Sequence, residues 1–335
     1  MKKHVLIIVV ILGLVLSSCG GAAEPPPAPT DTAPPPPTPT PVPPSPTPIP
    51  PTDTPEPTPT PEPTFTPTPE PVRYIVFSKQ SGAGLNLWLI APDGSEAIQI
   101  TSDFKRATYS AWSPDRSLIA FASNDTGTWH IYTIDPTGEN LTQITDFSSA
   151  DPDWSPDGGS LIFQSDHRNE PENVPDIYAI NLDGSNLIEI LDNPELPDFD
   201  PGWSPNGTQI MFGSNRTGIS ETFVMNANGE NITQLIPDEF RDYYSKWSPD
   251  GSKILFISDR NGNPDLYVMD VDGSNVIQLT DDASGEAFPS WSPDGTRIVY
   301  ASDQGGNWDL YIVDVNVANI MQLTDDDAID LFPDW

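Results

Sequence analysis

Residues 247–280 read WSPDGSKILFISDRNGNPDLYVMDVDGSNVIQLT. Three apolar bursts, KILFIS, DLYVMD and VIQLT, are separated by PDG, DRNGN and DVDGSN. Short β-branched and aromatic runs between Gly, Asp and Asn clusters read as strands and hairpin turns. The runs are almost continuously apolar, as expected of strands buried on both faces. The phrase recurs along the chain. Trp112, Trp154, Trp203, Trp247, Trp291 and Trp335 are spaced by 42, 49, 44, 44 and 44 residues, and SPDG or a near variant follows each of the first five. The stretch ending in each Trp supplies one more strand. Four strands in a unit of about 44 residues is the signature of a propeller blade.

YIVFSK (74–79), LNLWLIA (85–91) and AIQIT (97–101) supply the last three strands of another unit that lacks its Trp-bearing strand. LFPDW (331–335) is a Trp-bearing strand with nothing after it. The expected fold is therefore all-β. It is a six-bladed propeller over 73–335 with four antiparallel strands per blade, closed by the C-terminal strand pairing in the first blade. Closure removes two exposed sheet edges. The chain has one cysteine, so strand pairing rather than an internal disulfide must hold the ring.

The pattern WSPDG-x-x-I-x-F-x-SDR-x-GN-x-DLYVMD-x-DGSN-x-x-QLT resembles the Pro-Asp repeats of TolB-like six-bladed propellers, over essentially all of 73–335. TolB carries an α/β domain ahead of its propeller and acts by binding other envelope proteins. Here a proline-rich spacer stands in that place. Related propellers also precede hydrolase domains in prolyl-oligopeptidase-like enzymes. The resemblance implies a non-catalytic scaffold that binds envelope or surface proteins and works as a monomer. The alternative from another class is a carbohydrate-active enzyme, a glycoside hydrolase or lyase using carboxylates at the channel mouth.

The segments before the repeats set the location. Lys2 and Lys3 precede a twelve-residue apolar run, Val5 to Leu16. That is short for a membrane span of about 20 residues and matches a signal-peptide core. LSSC (16–19) resembles a bacterial lipobox, so residues 1–18 are expected to be a lipoprotein signal and Cys19 the lipidated N-terminus. Two acyl chains give the two-signal anchoring that one chain cannot. Half of the 48 residues of 24–71 are proline, so 19–72 is expected to be a disordered, extended linker. The expected site of action is extracytoplasmic, at a bacterial cell envelope.

The formal net charge of −35 argues against nucleic acid, whose binding is rewarded by clustered Lys and Arg. It suits cationic partners or metal ions. A–B and C–D offsets within the repeat are constant at nine and eleven residues, whereas B–C and D–A spans vary. All length variation thus falls on the B–C/D–A face, which is expected to be the working one. Asp198, Asp242, Glu286 and Asp330 stand five before their Trp and Asp151 and Asp200 three before. These acids are expected at the channel mouth. The first four are candidate ligands of Ca2+ or another divalent cation, with solvated loop caps as the alternative. Asp151, Asp200, His167 and Arg168 are candidates for the ligand face. DRNGNPD (259–265) lacks the bidentate Glu of a calcium loop and sits where a hairpin turn belongs. No G-x-S-x-G elbow is present, and His130 and His167 fall in different blades.

The lipobox reading has a direct test. Cys19→Ser should move the protein from the membrane fraction to the soluble extracytoplasmic fraction. Retention equal to wild type would exclude a lipid anchor at this residue.

Overall fold

A computed structural model of the chain describes residues 72–167, 174–193, 195–316 and 319–335. Cys19, the segment before it, the proline-rich stretch and Arg168 lie outside the described residues. Twenty-four strands form six four-stranded antiparallel sheets. Five sheets use consecutive strands. In the remaining one, Asp330–Asp334 pairs with Ile75–Ser81, which is followed by Gly84–Ile90 and Ala97–Gln99. This sheet is blade 1, and blades 2 to 6 follow in chain order. The strands of each blade are A to D, with A bearing the Trp. The A strands of neighbouring blades touch in a closed cycle and line the central channel. Among the described residues no helix is long and apolar enough to cross a membrane.

The repeat offsets are cross-strand registers. The B-strand aromatic faces the C-strand aromatic directly, as in Phe121↔Tyr132, Phe256↔Tyr267 and Tyr300↔Tyr311. These rings lie 5.6–5.9 Å apart in the three pairs. The C-strand aromatic in turn faces the D-strand Gln or Glu, from Trp88↔Gln99 to Tyr311↔Gln322. In the A–B turns the Asp side chain accepts hydrogen bonds from the preceding Ser and the following backbone. Ser248 Oγ donates to Asp250 at 2.7 Å and Ser252 N at 2.9 Å. A change in turn length would break that register, which is why these turns do not vary.

Apolar burial lies between blades. The six buried clusters each join two neighbours. Ile75 and Phe77 pack against Val299, Leu310 and Trp335, whereas Val76, on the opposite face of the same strand, packs with Ile119 and Phe121 of blade 2. Alternate residues of one strand thus serve different interfaces, and continuous apolar runs follow.

Closure depends on blade 1. Leu331 and Trp335 are 6% and 7% exposed. The Trp335 indole donates to the Arg73 carbonyl at 3.1 Å, and the Arg297 guanidinium lies 4.5 Å over its ring. Deleting 331–335 should remove burial worth roughly 1.5–3 kcal/mol for each large apolar side chain and free two sheet edges. The expected result is a strongly lowered Tm with concentration-dependent association, read by calorimetry and light scattering. An unchanged, monomeric melt would contradict closure by this strand.

Candidate functional site

The two ends of the channel differ in chemistry. At the B–C/D–A end stand the four acids that lie five before their Trp, Asp198, Asp242, Glu286 and Asp330, all buried, at 0–3% exposure. Three have a cation of their own. Asp198 pairs with Arg216 at 2.9 Å, Asp242 with Arg260 at 3.2 Å, and Asp330 with Lys79 at 3.1 Å. Lys79 also reaches Asp326 at 2.7 Å, and Arg260 reaches Asp238 at 3.4 Å. Glu286 has no cation of its own: it meets the hydroxyls of Thr280 at 3.2 Å and Ser302 at 3.3 Å and the carboxyl of Asp265, and Gln304 stands where blade 5 has Arg260.

The expected ring of metal ligands is therefore not assembled. The four acids are locked into separate blades by their own partners. Among the described residues, the only three acids with oxygens within 4.8 Å of one another are Asp176, Glu189 and Asp192 in blade 3. Two of these are engaged: Asn193 N donates to Asp176 at 2.9 Å, and Tyr178 Oη donates to Glu189 at 2.5 Å. The pairing bases had a sequence signal, since Arg216 and Arg260 both stand two after the last serine of strand B. His167 is not at the channel. Its ring lies 4.2 Å from that of Phe147, and its backbone N donates to Ser165 Oγ at 3.1 Å.

Asp151 and Asp200 belong to a different arrangement. In blade 2, Thr108↔Ala122 is followed in the register by Ala111↔Ala120, so Tyr109 and Ser110 together face Phe121. The same bulge occurs in every blade, opposite the B-strand aromatic. Its first residue is always left-handed and never glycine: Phe332 (φ 53°), Tyr109 (54°), Asp151 (57°), Asp200 (49°), Tyr244 (52°) and Phe288 (52°). Each costs about 1–3 kcal/mol. A bulge re-aims its side chain, and these six turn into the channel.

Four of the six form an aromatic arc. Ring centroids are 4.6 Å apart for Tyr244–Phe288, 4.0 Å for Phe288–Phe332 and 4.4 Å for Phe332–Tyr109. Asp151 and Asp200 complete the circle. They enclose, with Lys246 and Asp334, a cavity of about 50 Å³. Every lining residue stands three to one before its Trp. Strand A runs toward the A–B turn, so the cavity lies in the half of the channel nearer the A–B/C–D face, away from the variable loops. A larger hollow of about 370 Å³ lies between the A–B turns of blades 5 and 6, but its acids, Asp250 and Asp294, are occupied by their own turn serines.

The electrostatics of the cavity are unusual for an acidic protein. Burial and then the charge of Asp151 push Asp200 well above the carboxylate range, and the two carboxyls are hydrogen-bonded. Burial also raises Asp153, which accepts from Trp203 N at 2.9 Å. Burial alone would lower Lys246, but Asp153, Asp151, Asp334 and Asp200 outweigh it and keep the ammonium charged. Burial raises Tyr109 and Tyr244, so both phenols stay neutral.

Six sheets of four antiparallel strands, closed around a channel by the last strand, define a six-bladed propeller of the Pro-Asp repeat type. Residues 54–194 and 193–287 match the TolB beta propeller domain, and the chain belongs to that family. Among solved structures it is similar to TolB from Acinetobacter baumannii, at 24% identity and a TM-score of 0.71 over 78% of this chain and 66% of that one. A putative TolB from Agrobacterium tumefaciens matches at 22% and 0.63, over 78% of this chain and 90% of its own. Oligogalacturonate lyase from Vibrio parahaemolyticus matches at 14% and 0.51, over 75% of this chain and 74% of that one. The chain thus spans just under two thirds of the Acinetobacter protein, and at these identities the likeness is one of fold.

The buried acids give stability an inverted pH dependence. Burial and Asp282 push Glu286 up to about 8, and burial and Asp242 push Glu221 up to about 7. Burial raises Asp242 and Asp330 to about 6. A raised carboxyl binds more protons folded than unfolded, so its contribution is complete below the unfolded value and fades as pH climbs to the folded one. Tm should fall between pH 4.5 and about 8. Glu286→Gln should flatten the upper part of that decline, as read by thermal melts across the range. A variant whose slope matches wild type would rule out Glu286 as its source.

Proposed function

We propose that the chain is a lipid-anchored, extracytoplasmic protein of a bacterial cell envelope whose propeller is a non-catalytic scaffold binding an envelope or surface protein. The anchor is Cys19, and the proline-rich segment spaces the propeller from the membrane. The observation that carries the reading is the cavity in the channel. Six non-glycine residues are held in left-handed conformation, and their side chains form one mixed aromatic and acidic lining. Strain of this kind collects at ligand sites, where surrounding structure over-determines it. Membership of the TolB propeller family supports the same reading.

The hydrogen-bonded Asp151/Asp200 pair is the one feature that favours an enzyme. Carboxyls in hydrogen-bond contact are closer than the roughly 5–5.5 Å of a retaining glycosidase or the roughly 6.5–9.5 Å of an inverting one. A cavity of about 50 Å³ also has no room for a sugar ring. Chemical crosslinking of the full chain in intact cells should yield a discrete adduct that weakens in Tyr244→Ala and Phe288→Ala. The purified chain should leave polysaccharides intact. Turnover that disappears in Asp200→Asn would overturn the scaffold reading.

A further inference from the structure

We propose that the seam between blades 5 and 6 is a pH-operated latch, closed by a proton on Glu286 that takes the place of the side-chain cation holding the corresponding acids in the two neighbouring seams. The latch belongs to the ring itself and does not depend on what the propeller binds.

The seams repeat one geometry. The first residue of an A strand donates its backbone N to the carbonyl just before strand C of the preceding blade. Asp242 donates to Ser220 at 2.9 Å, Glu286 to Pro264 at 3.1 Å and Asp330 to Trp308 at 2.9 Å. Each of these seams gathers an acid from the start of strand A, one from the start of that strand C and one from the D–A loop between them. The sets are Asp242, Glu221 and Asp238, then Glu286, Asp265 and Asp282, then Asp330, Asp309 and Asp326. Within a set the acids feel one another's charge.

In the first and last of these sets the chain supplies a base. Arg260 reaches Asp242 at 3.2 Å and Asp238 at 3.4 Å, and Lys79 reaches Asp330 at 3.1 Å and Asp326 at 2.7 Å. The Arg260 Nε donates to Ser258, the last serine of its strand B, at 2.9 Å. In blade 6 that serine is Ser302, and Gln304 is the side chain two residues on, with its backbone N donating to Ser302 Oγ at 3.3 Å. A neutral amide thus stands in the place of the cation. Among the described residues no Lys or Arg pairs with Glu286, Asp265 or Asp282.

The groups that face Glu286 are acidic or neutral on every side. Strand C of blade 5 presents Asp265, which accepts from Asn263 and Gln278 at 3.0 Å each. The D–A loop presents Thr280 and Asp282, and strand B presents Ser302 and Tyr300. Strand A of blade 5 adds Tyr243, and Asp303 accepts from the neighbouring Gly285 N at 3.0 Å. The seam closes with the Glu286 carboxyl hydrogen-bonded to Asp265. Ionised Glu286 adds a further negative charge to a seam that holds no positive one. Burial and then Asp282 push Glu286 up to about 8, whereas burial takes Asp242 and Asp330 only to about 6 and Glu221 to about 7. The closed seam binds the extra proton, so opening becomes easier as pH rises toward the folded value and levels off above it. Glu286 keeps titrating above the range of Asp242, Asp330 and Glu221.

The test is native-state hydrogen exchange of the full chain in detergent, corrected for intrinsic rates, on peptides carrying the amides of Glu286, Asp242 and Asp330. Between about pH 6.5 and 8.5 the opening equilibrium at Glu286 should rise about twentyfold, and at Asp242 and Asp330 about fivefold or less. Glu286→Gln stays neutral and should remove the rise. Gln304→Arg supplies the missing cation and should bring the rise down to that of the neighbouring seams. Arg260→Gln should give the Asp242 seam the steeper response. Circular dichroism reports the fold of each variant, and if Arg260→Gln does not fold, Gln304→Arg decides. Equal responses in all three seams, or a rise at Glu286 that survives Glu286→Gln or Gln304→Arg, would overturn the latch. So would closure of the seam by millimolar Ca2+ at the upper pH, which would mark a cation site there.

Discussion

The structure depends on one constraint: no blade can bury its own faces. Each four-stranded sheet is apolar on both sides, and each buried cluster draws on two neighbours. A row of such sheets would leave two apolar faces in water. Bending the row into a ring satisfies all of them at once, and the ring needs a sixth interface as good as the other five. That interface is built by Trp335, Leu331, Ile75 and Phe77 against Val299 and Leu310. Strand pairing from opposite ends of the chain, Ser78↔Leu331 and Val76↔Asp334, then replaces a covalent staple.

The ring imposes a second condition on its innermost strands. Six A strands must converge without filling the channel with backbone, and each does so by the same two-against-one bulge. The bulge turns one side chain per blade inward. Four of those side chains are aromatic and pack on one another. The other two, Asp151 and Asp200, cannot pack in that way. They lie side by side in hydrogen-bond contact, next to the charged Lys246. The sixfold repeat is thus broken in chemistry at the one place where its backbone is most regular.

The repeat grammar made the fold legible. Fixed offsets of nine and eleven residues are cross-strand registers, and a Trp-bearing tail with a Trp-less first unit requires closure. The site was legible only in part. Asp151 and Asp200 stood out as acids at a repeat position, but their inward direction depends on a left-handed residue that no glycine announces. The acids five before four of the six Trp looked like a ring of ligands because carboxylates recur. Their partners lie in strand-end loops and on a different strand in blade 1, where Lys79 does the work that Arg216 and Arg260 do elsewhere. Loop-length variation pointed to the B–C/D–A face, whereas the cavity depends on strand geometry that leaves no trace in loop lengths.

Burial explains why the two ends of the channel differ electrically although both are rich in acid. An Asp in an A–B turn is exposed and receives three or so hydrogen bonds from its own turn, so its charge is stabilised where it stands. An Asp at the start of strand A is sealed between blades, so it must borrow a cation or keep a proton. The first class gives a fixed negative field, and the second is neutralised internally. Exposed acids of the D–A loops, such as Asp281, Asp325 and Asp327, add negative charge at the other end, so both faces are acidic and only the turn carboxylates are held rigidly. A constant turn holding a constant carboxylate is better suited to orienting a charged partner than a variable loop, because the field keeps its geometry when the ligand arrives.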